Sequence, residues 1–263
     1  MKRKITVLFL SRKKVGAGMI LLALIFLMFF CKWPYNHLAV TQRKVPAQAT
    51  LVIDPGHGGI DGGVSRGELL EKDITLGIAK LLKRALEKKG YNIKMTRETD
   101  RDVSHLIPGG PETRYRRDVH SRTKFVNESG ADLFVSIHVD ACEDPSIRGA
   151  IVFHSKDNAE SKALATIIQN HLNKVTETDP QSGEYFHKGI KEGDFHILNN
   201  STIPGALVEV GFITNAGDRK LLSTLSHRKK LAQAICNGII EYLLDPLADN
   251  GFQDLPGLPQ NDK

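Results

Sequence analysis

The segment LVIDPGHGG, residues 51–59, runs an apolar stretch into a turn and leaves His57 beside two glycines. A second histidine, His138, closes the apolar stretch FVSIH, and Glu209 lies at the end of GALVEV. A fourth candidate, Glu71, opens the helical pattern that follows the first stretch. It lies three residues before Ile74, which turns it toward the covered side of that helix. Two histidines and one carboxylate form a common catalytic zinc set that leaves a fourth position for water. Zinc held this way lowers the pKa of its water from about 15.7 to about 7, which makes hydroxide available at neutral pH. Glu209 is then a spare carboxylate for moving a proton from water to a departing amine. Ordinary roles compete with this reading. A histidine after a strand often serves a turn, and a glutamate opening a helix complements its dipole. Residue types and spacing leave both readings open, and they do not separate Glu71 from its neighbour Glu68.

These side chains can meet only if their segments do. Candidate strands are 50–54, 91–96, 132–138, 149–154 and 205–210, several of them nearly continuous apolar runs of the kind covered on both faces. Amphipathic helical patterns lie between and after them. Residues 71–89 turn Ile74, Ile78, Leu81, Leu82 and Ala85 inward; 156–174 do so through Leu164, Ile167, Ile168 and Leu172; 227–244 through Leu231, Ile235, Ile239 and Leu243. Strands separated by helices predict one α/β domain, residues 50–244, three layers deep, with a mainly parallel twisted sheet flanked by helices. Ligands of such sheets gather beyond the carboxyl ends of the strands.

The 263 residues carry a formal charge of +6. Lys2, Arg3, Lys4, Arg12, Lys13 and Lys14 account for it, so the remainder is near neutral and gives no reason to expect a nucleic-acid partner. Residues 1–14 are this basic segment, and 15–31 form an uncharged apolar run. As a helix the run spans roughly 25 Å, against a hydrocarbon core of about 30 Å. No small-x-small cleavage site follows it, and Trp33 and Tyr35 stand at interfacial positions. The expectation is an uncleaved single-pass transmembrane helix in the cell membrane, with the domain on the outer side; a cleaved secretory signal is the competing reading. Residues 32–49 read as a linker, and 245–263, with three prolines and no period, as a disordered tail. Cys31, Cys142 and Cys236 match no zinc knuckle or disulfide framework.

In order along the chain, VIDPGHGGIDGG, LLEKDITL, TRETD, ADLFVSIHVDA and GALVEVGFITN resemble the blocks of the zinc-dependent N-acetylmuramoyl-L-alanine amidases of bacterial cell walls. The resemblance covers about residues 50–243. It implies one zinc ion held by His57, Glu71 and His138, with Glu209 as the catalytic carboxylate, and it decides for Glu71 over Glu68. It implies peptidoglycan as substrate, cut at the amide between N-acetylmuramic acid and L-alanine. The apolar span, the single domain and the long stretch RDVSHLIPGGPETRYRRDVHSRTKFVN resemble the sporulation branch, which makes muramic-δ-lactam in spore cortex. Where the family commonly has Asn, this chain has Asp140. Four further assignments are less direct. Asp54 is expected to orient His57 or to stabilise the turn. Arg97 is expected to pair with Asp100 or with a peptide carboxylate. Arg122 is a solvated charge or steadies the site from its helix, and His187 and His196 belong to a substrate-facing loop outside the ligand set. With no wall-binding module visible, positioning falls to the anchor or to an activating or localising protein. The alternatives are another zinc peptidase or carboxypeptidase of the wall, and a catalytically silent wall-binding scaffold.

Overall fold

The computed structural model describes residues 49–109, 113–177 and 189–244. In chain order the strands are β1 (Thr50–Pro55), β2 (Ser65–Arg66), β3 (Leu69–Leu70), β4 (Asn92–Met95), β5 (Leu133–Asp140), β6 (Ile151–His154), β7 (Lys191–Glu192) and β8 (Gly205–Phe212). The helices are α1 (Glu71–Glu87), α2 (Arg114–Glu128), α3 (Ala159–Glu177), α4 (His196–Asn199), α5 (Ala216–Leu222) and α6 (Leu225–Leu244). Six strands form one sheet in the order β4-β1-β5-β8-β6-β7, and β2 and β3 form a separate hairpin. Pairings β4–β1, β1–β5 and β5–β8 are parallel, as the alternating pattern predicts. The strand β6 departs from it and runs antiparallel to β8. The result is a single α/β domain with a mainly parallel sheet between helices.

Strand alternation sorts the side chains between two cores. Leu51, Ile53, Leu133, Val135, Ile137, Ala206 and Val208 join Ile74, Ile78, Leu164, Ile168, Leu231 and Ile235 in the larger cluster, under α1, α3 and α6. Val52, Phe134 and Leu207 face the other way, toward Val126 of α2 and Ile197 and Leu198 of α4. Continuing each alternation toward the carboxyl ends puts Asp54, Ser136, His138 and Glu209 on the α2 and α4 side. Each central strand is thus apolar at its start and polar at its finish on this one face.

The helix that carries Arg122 buries a polar face. Four of the five buried residues of α2 are Asp118, Ser121, Arg122 and Thr123, and only Val126 is apolar. An amphipathic pattern detects a greasy face, and α2 does not have one. By contrast, α1 buries Ile74, Ile78 and Leu82 at helical spacing as expected.

Among the described residues no helix is long and apolar enough to cross a membrane. The expected basic segment 1–14, transmembrane span 15–31, most of the linker (32–48) and the tail 245–263 lie outside the described residues.

The close approach of β8 to β5 depends on Gly205, where an added Cβ would overlap the buried ring of Phe134. We expect Gly205→Ala to destabilise the domain by about 1–3 kcal/mol. Urea unfolding should show this as a lower midpoint at unchanged slope.

Candidate metal centre

Glu71, the first residue of α1, is held in place from both sides of its carboxylate. Its Oε1 accepts from the Val139 N–H at 2.9 Å and its Oε2 from the Val64 N–H at 2.9 Å. The same oxygens lie 3.0 Å from His138 Nδ1 and 3.1 Å from His57 Nε2. One donor atom from each of His57, Glu71 and His138 falls within 4.8 Å of the others. Donors around a single zinc at about 2.0–2.2 Å stand roughly 3.3–3.5 Å apart, so this set needs only small adjustments to share an ion. Nitrogen, nitrogen and carboxylate oxygen are also the donor types zinc prefers. The residues therefore fit the metal.

Local backbone chemistry brings them there. His57 adopts φ 59°, a left-handed conformation that is uncommon outside glycine but enriched for histidine. Gly63, at φ 67°, must lack a side chain, because a Cβ there would overlap Glu71 Oε2. Gly56 likewise leaves room for the His138 ring. His57 Nδ1 lies 2.8 Å from Asp61 Oδ2, which fixes the ring and leaves Nε2 facing Glu71. Asp61 is held in turn by the Gly63 N–H at 3.0 Å.

Asp61, not Asp54, is the carboxylate that orients His57. Its sequence signal was the spacing His57-x-x-x-Asp61 within GHGGID, where a glycine-rich turn lets the chain fold back on the imidazole. Asp54 is fully buried and engaged elsewhere, by Thr96 Oγ1 (2.5 Å), Ser136 Oγ (2.7 Å) and Arg122 Nη1 (2.7 Å). Burial opposes its charge, yet Arg122 and the two hydroxyls hold its pKa below the ordinary value.

Arg122 is no solvated charge. From the buried face of α2 it donates to Pro55 O at 2.8 Å and His57 O at 2.6 Å, and it pairs with Asp118 at 2.7 Å. Arg97 does not take Asp100 as its main contact. It is buried and donates to Pro55 O (3.0 Å), Gly56 O (2.8 Å) and Lys72 O (2.9 Å). Burial and the nearby Arg122 bring its pKa down to about 10. Asp100 instead accepts from Lys72 Nζ and the Gly59 N–H, both at 2.8 Å.

Glu209 stands directly across from His138 in the β5–β8 pairing. It is buried, and its Oε2 has no hydrogen-bond partner. Burial, then the charges of Glu71 and Asp140, push its pKa well above the ordinary glutamate value. Asp140 is half-buried beyond a bulge in β5, with Oδ1 accepting from the Ala141 N–H at 2.7 Å; burial and Glu71 raise its pKa as well. Beside these groups opens a cleft of about 470 Å³, lined among others by His57, Asp61 and His138, by Arg116 and His120 of α2, and by Phe195 and His196. His196 opens α4; His187 lies outside the described residues.

The sequence profile of the N-acetylmuramoyl-L-alanine amidase family matches residues 51–241. The chain belongs to this family. A germination-specific N-acetylmuramoyl-L-alanine amidase from Bacillus subtilis is 35% identical over 236 residues, covering 89% of this chain and 97% of that protein. The amidase AmiA of Escherichia coli is 30% identical, covering 79% and 80% respectively. Among solved structures, the CwlD amidase of Clostridioides difficile, determined in complex with the GerS lipoprotein, superposes with a TM-score of 0.66 at 34% identity. The match covers 74% of this chain and 98% of that one. The amidase AmiC2 of Nostoc punctiforme gives 0.60 at 30% identity over 74% and 97%. All the sequence blocks singled out above fall within the matched span.

Two expectations for this amidase follow from the ligand geometry. Asp61→Asn removes the anion behind His57 and should weaken zinc binding about 10–100-fold, read by competition with a chromophoric chelator. The second concerns pH. Burial disfavours the His57 imidazolium, but Glu71 and Asp61 outweigh burial and raise its pKa above 6.5 in the metal-free protein. A ligating imidazole must be neutral, so protons compete with the metal up to that raised pKa. Zinc affinity should therefore climb as pH rises through neutrality and fall steeply below it, and the same titration measures both arms.

Proposed function

We propose that the chain hydrolyses the amide between the lactyl group of N-acetylmuramic acid and the L-alanine of the stem peptide, with one zinc held by His57, Glu71 and His138. The observation that carries this reading is Glu209, a buried carboxyl without a hydrogen-bond partner on Oε2, one strand away from a ligand of the candidate metal centre. Bound zinc supplies Lewis acidity toward a carbonyl and a water, and its charge offsets that of Glu71.

The protein's own groups do the rest. In the metal-free protein burial and two neighbouring anions disfavour the Glu209 carboxylate and favour its protonated form. Once Glu71 is neutralised, that penalty falls and Glu209 can accept a proton from the attacking water. It then returns the proton to the alanine nitrogen as the C–N bond breaks. His57 and His138 are aimed by their partners, and Asp61 fixes which His57 nitrogen stays available.

The setting we propose is the spore cortex, where such cleavage leads to muramic-δ-lactam. Support comes from the germination-specific relative and from the likeness to CwlD. We further propose that the apolar run 15–31 is an uncleaved anchor and that the domain works on the outer side of the cell membrane. The GerS complex of the C. difficile protein supports a localising or activating partner here as well.

Glu209→Ala should lower turnover on purified cortex by about 10²-fold or more while zinc content stays at the level of the unmodified protein. Mass spectrometry of the products provides the second test. Free stem peptides that begin with L-alanine are expected, whereas shortened stems still attached to glycan would refute the amidase reading.

A further inference from the structure

The loop that carries His57 also carries an apolar side chain that the fold does not bury. Ile60 is 84% exposed, and Tyr115, in the first turn of α2, is 63% exposed. Among the described residues these are the two most exposed large apolar side chains. They line one groove of about 410 Å³, together with Asp61, Asp102, Arg114 and Asp118. The groove adjoins the cleft beside the metal centre, since Asp61, Tyr115 and Asp118 line both. Asp61 is the residue that holds His57, so the two spaces meet next to a candidate metal ligand. Neither Ile60 nor Tyr115 holds the metal or moves a proton.

The polar lining narrows what the groove can take. Asp61 is engaged by His57 and the Gly63 N–H. Asp102 is met by Arg114 and by the Ser104 N–H at 3.1 Å, and Asp118 by Arg122 and the Val103 N–H at 2.6 Å. With each carboxylate already partnered, the groove does not call for a cation. With three of them against one guanidinium, it disfavours an anion. A protein partner would have to bury these four charges within its interface, where the core is depleted of charged groups. A neutral ligand with an apolar face and hydroxyls along its edges fits better. A pyranose ring is such a ligand: its C–H face packs on aromatic and branched aliphatic side chains, and its hydroxyls reach carboxylate and guanidinium groups.

We infer that the groove between Ile60 and Tyr115 is a glycan subsite, in which a sugar ring of the strand packs on these two side chains while the muramoyl group is cut at the metal centre. This rests on the amidase reading, under which the substrate has sugar on one side of the bond and peptide on the other. Two spaces that meet beside His57 provide for both sides. Gly59 lets them meet. At φ 62° it carries no Cβ, and one built there would stand 3.1 Å from the Asp102 N and 3.3 Å from Arg114 Nη2. The start of α2 and the metal loop are thus packed together, so a sugar held by Ile60 and Tyr115 is fixed relative to the metal. The subsite makes the chain prefer amides carried on a glycan polymer to amides on a single sugar.

The test uses the zinc-loaded full chain. Its probe is the β-linked tetramer of N-acetylglucosamine, which has no lactyl group with which to reach the metal. Calorimetry at millimolar sugar should show binding to the unmodified chain, about tenfold weaker binding to Tyr115→Ala, and parental affinity in Tyr115→Phe, which keeps the ring. Ile60→Ser should weaken binding about threefold. Turnover gives a second readout. A muramoyl peptide within a tetrasaccharide should show kcat/KM about tenfold above that of the single-sugar muramoyl peptide. Tyr115→Ala should erase this difference through KM and leave single-sugar turnover within about twofold of the parent. Absence of tetramer binding, or equal binding by the parent and Tyr115→Ala, would overturn the subsite. So would a dimer of the chain that Tyr115→Ala dissociates while sugar binding stays unmoved, since the patch would then join two copies. Failure of the unmodified chain to cleave either substrate would count against the amidase reading separately, because the tetramer titration needs no turnover. Both side chains are exposed, and unchanged far-ultraviolet circular dichroism of each variant confirms that the fold is kept.

Discussion

Negative charge gathered at one rim of the sheet is the constraint on which this molecule turns. Glu71 and Glu209 are both buried there, and Asp140 stands close by. An uncompensated buried carboxylate is costly by several kcal/mol, so each must be paired, solvated or protonated. Glu71 receives two imidazoles and two backbone N–H groups, which hold its pKa well below the ordinary glutamate value despite burial. Glu209 receives no such set, and burial beside Glu71 and Asp140 pushes its pKa up instead. Two glutamates within one site are thereby pushed in opposite directions, one permanently charged and one able to exchange a proton. That divergence is how a single site assigns a ligand role and an acid–base role to the same residue type.

Precision at the rim comes from two arginines. Arg97 approaches the loop from the turn after β4 and Arg122 from α2, and between them they occupy the carbonyls of Pro55, Gly56 and His57. These are the carbonyls of a chain reversal that ends in a left-handed histidine. A guanidinium offers several donors in a rigid plane, which suits it to binding two or three carbonyls at once; a lysine could not span them. Asp54 and Asp118 balance the Arg122 charge from within the same buried network. The polar interior of α2 thus serves the metal loop, and the helix gives up a hydrophobic face to do so.

The two faces of the sheet divide the work. One carries the larger apolar core under α1, α3 and α6 and anchors the strands. The other is apolar only toward the strand starts and turns polar toward their carboxyl ends, where α2 and α4 border the cleft. Glu71 belongs to neither face. It reaches the site from the start of α1, brought there by the β2–β3 hairpin and the glycine-rich turn before it.

Much of this was legible in the chain. Apolar periods located β1, β5, β8 and the helices α1, α3 and α6, because burial on a covered face leaves a repeat that residue type alone reveals. The same periods placed His57 just past β1. His138 and Glu209, expected at strand ends, lie instead inside β5 and β8, which run on to Asp140 and Phe212. The order of five motifs named the family. What sequence could not supply was any relationship that depends on side chains meeting across the fold. Asp61 rather than Asp54 behind His57, the carbonyl partners of Arg97, and α2 with its buried charges are of that kind. So are the antiparallel turn of β6 and the groove that Ile60 and Tyr115 share. Polar contacts are directional and short-ranged, and they leave no period in the chain. Only the packed structure, by bringing distant segments within about 3 Å of one another, decides which donor meets which acceptor.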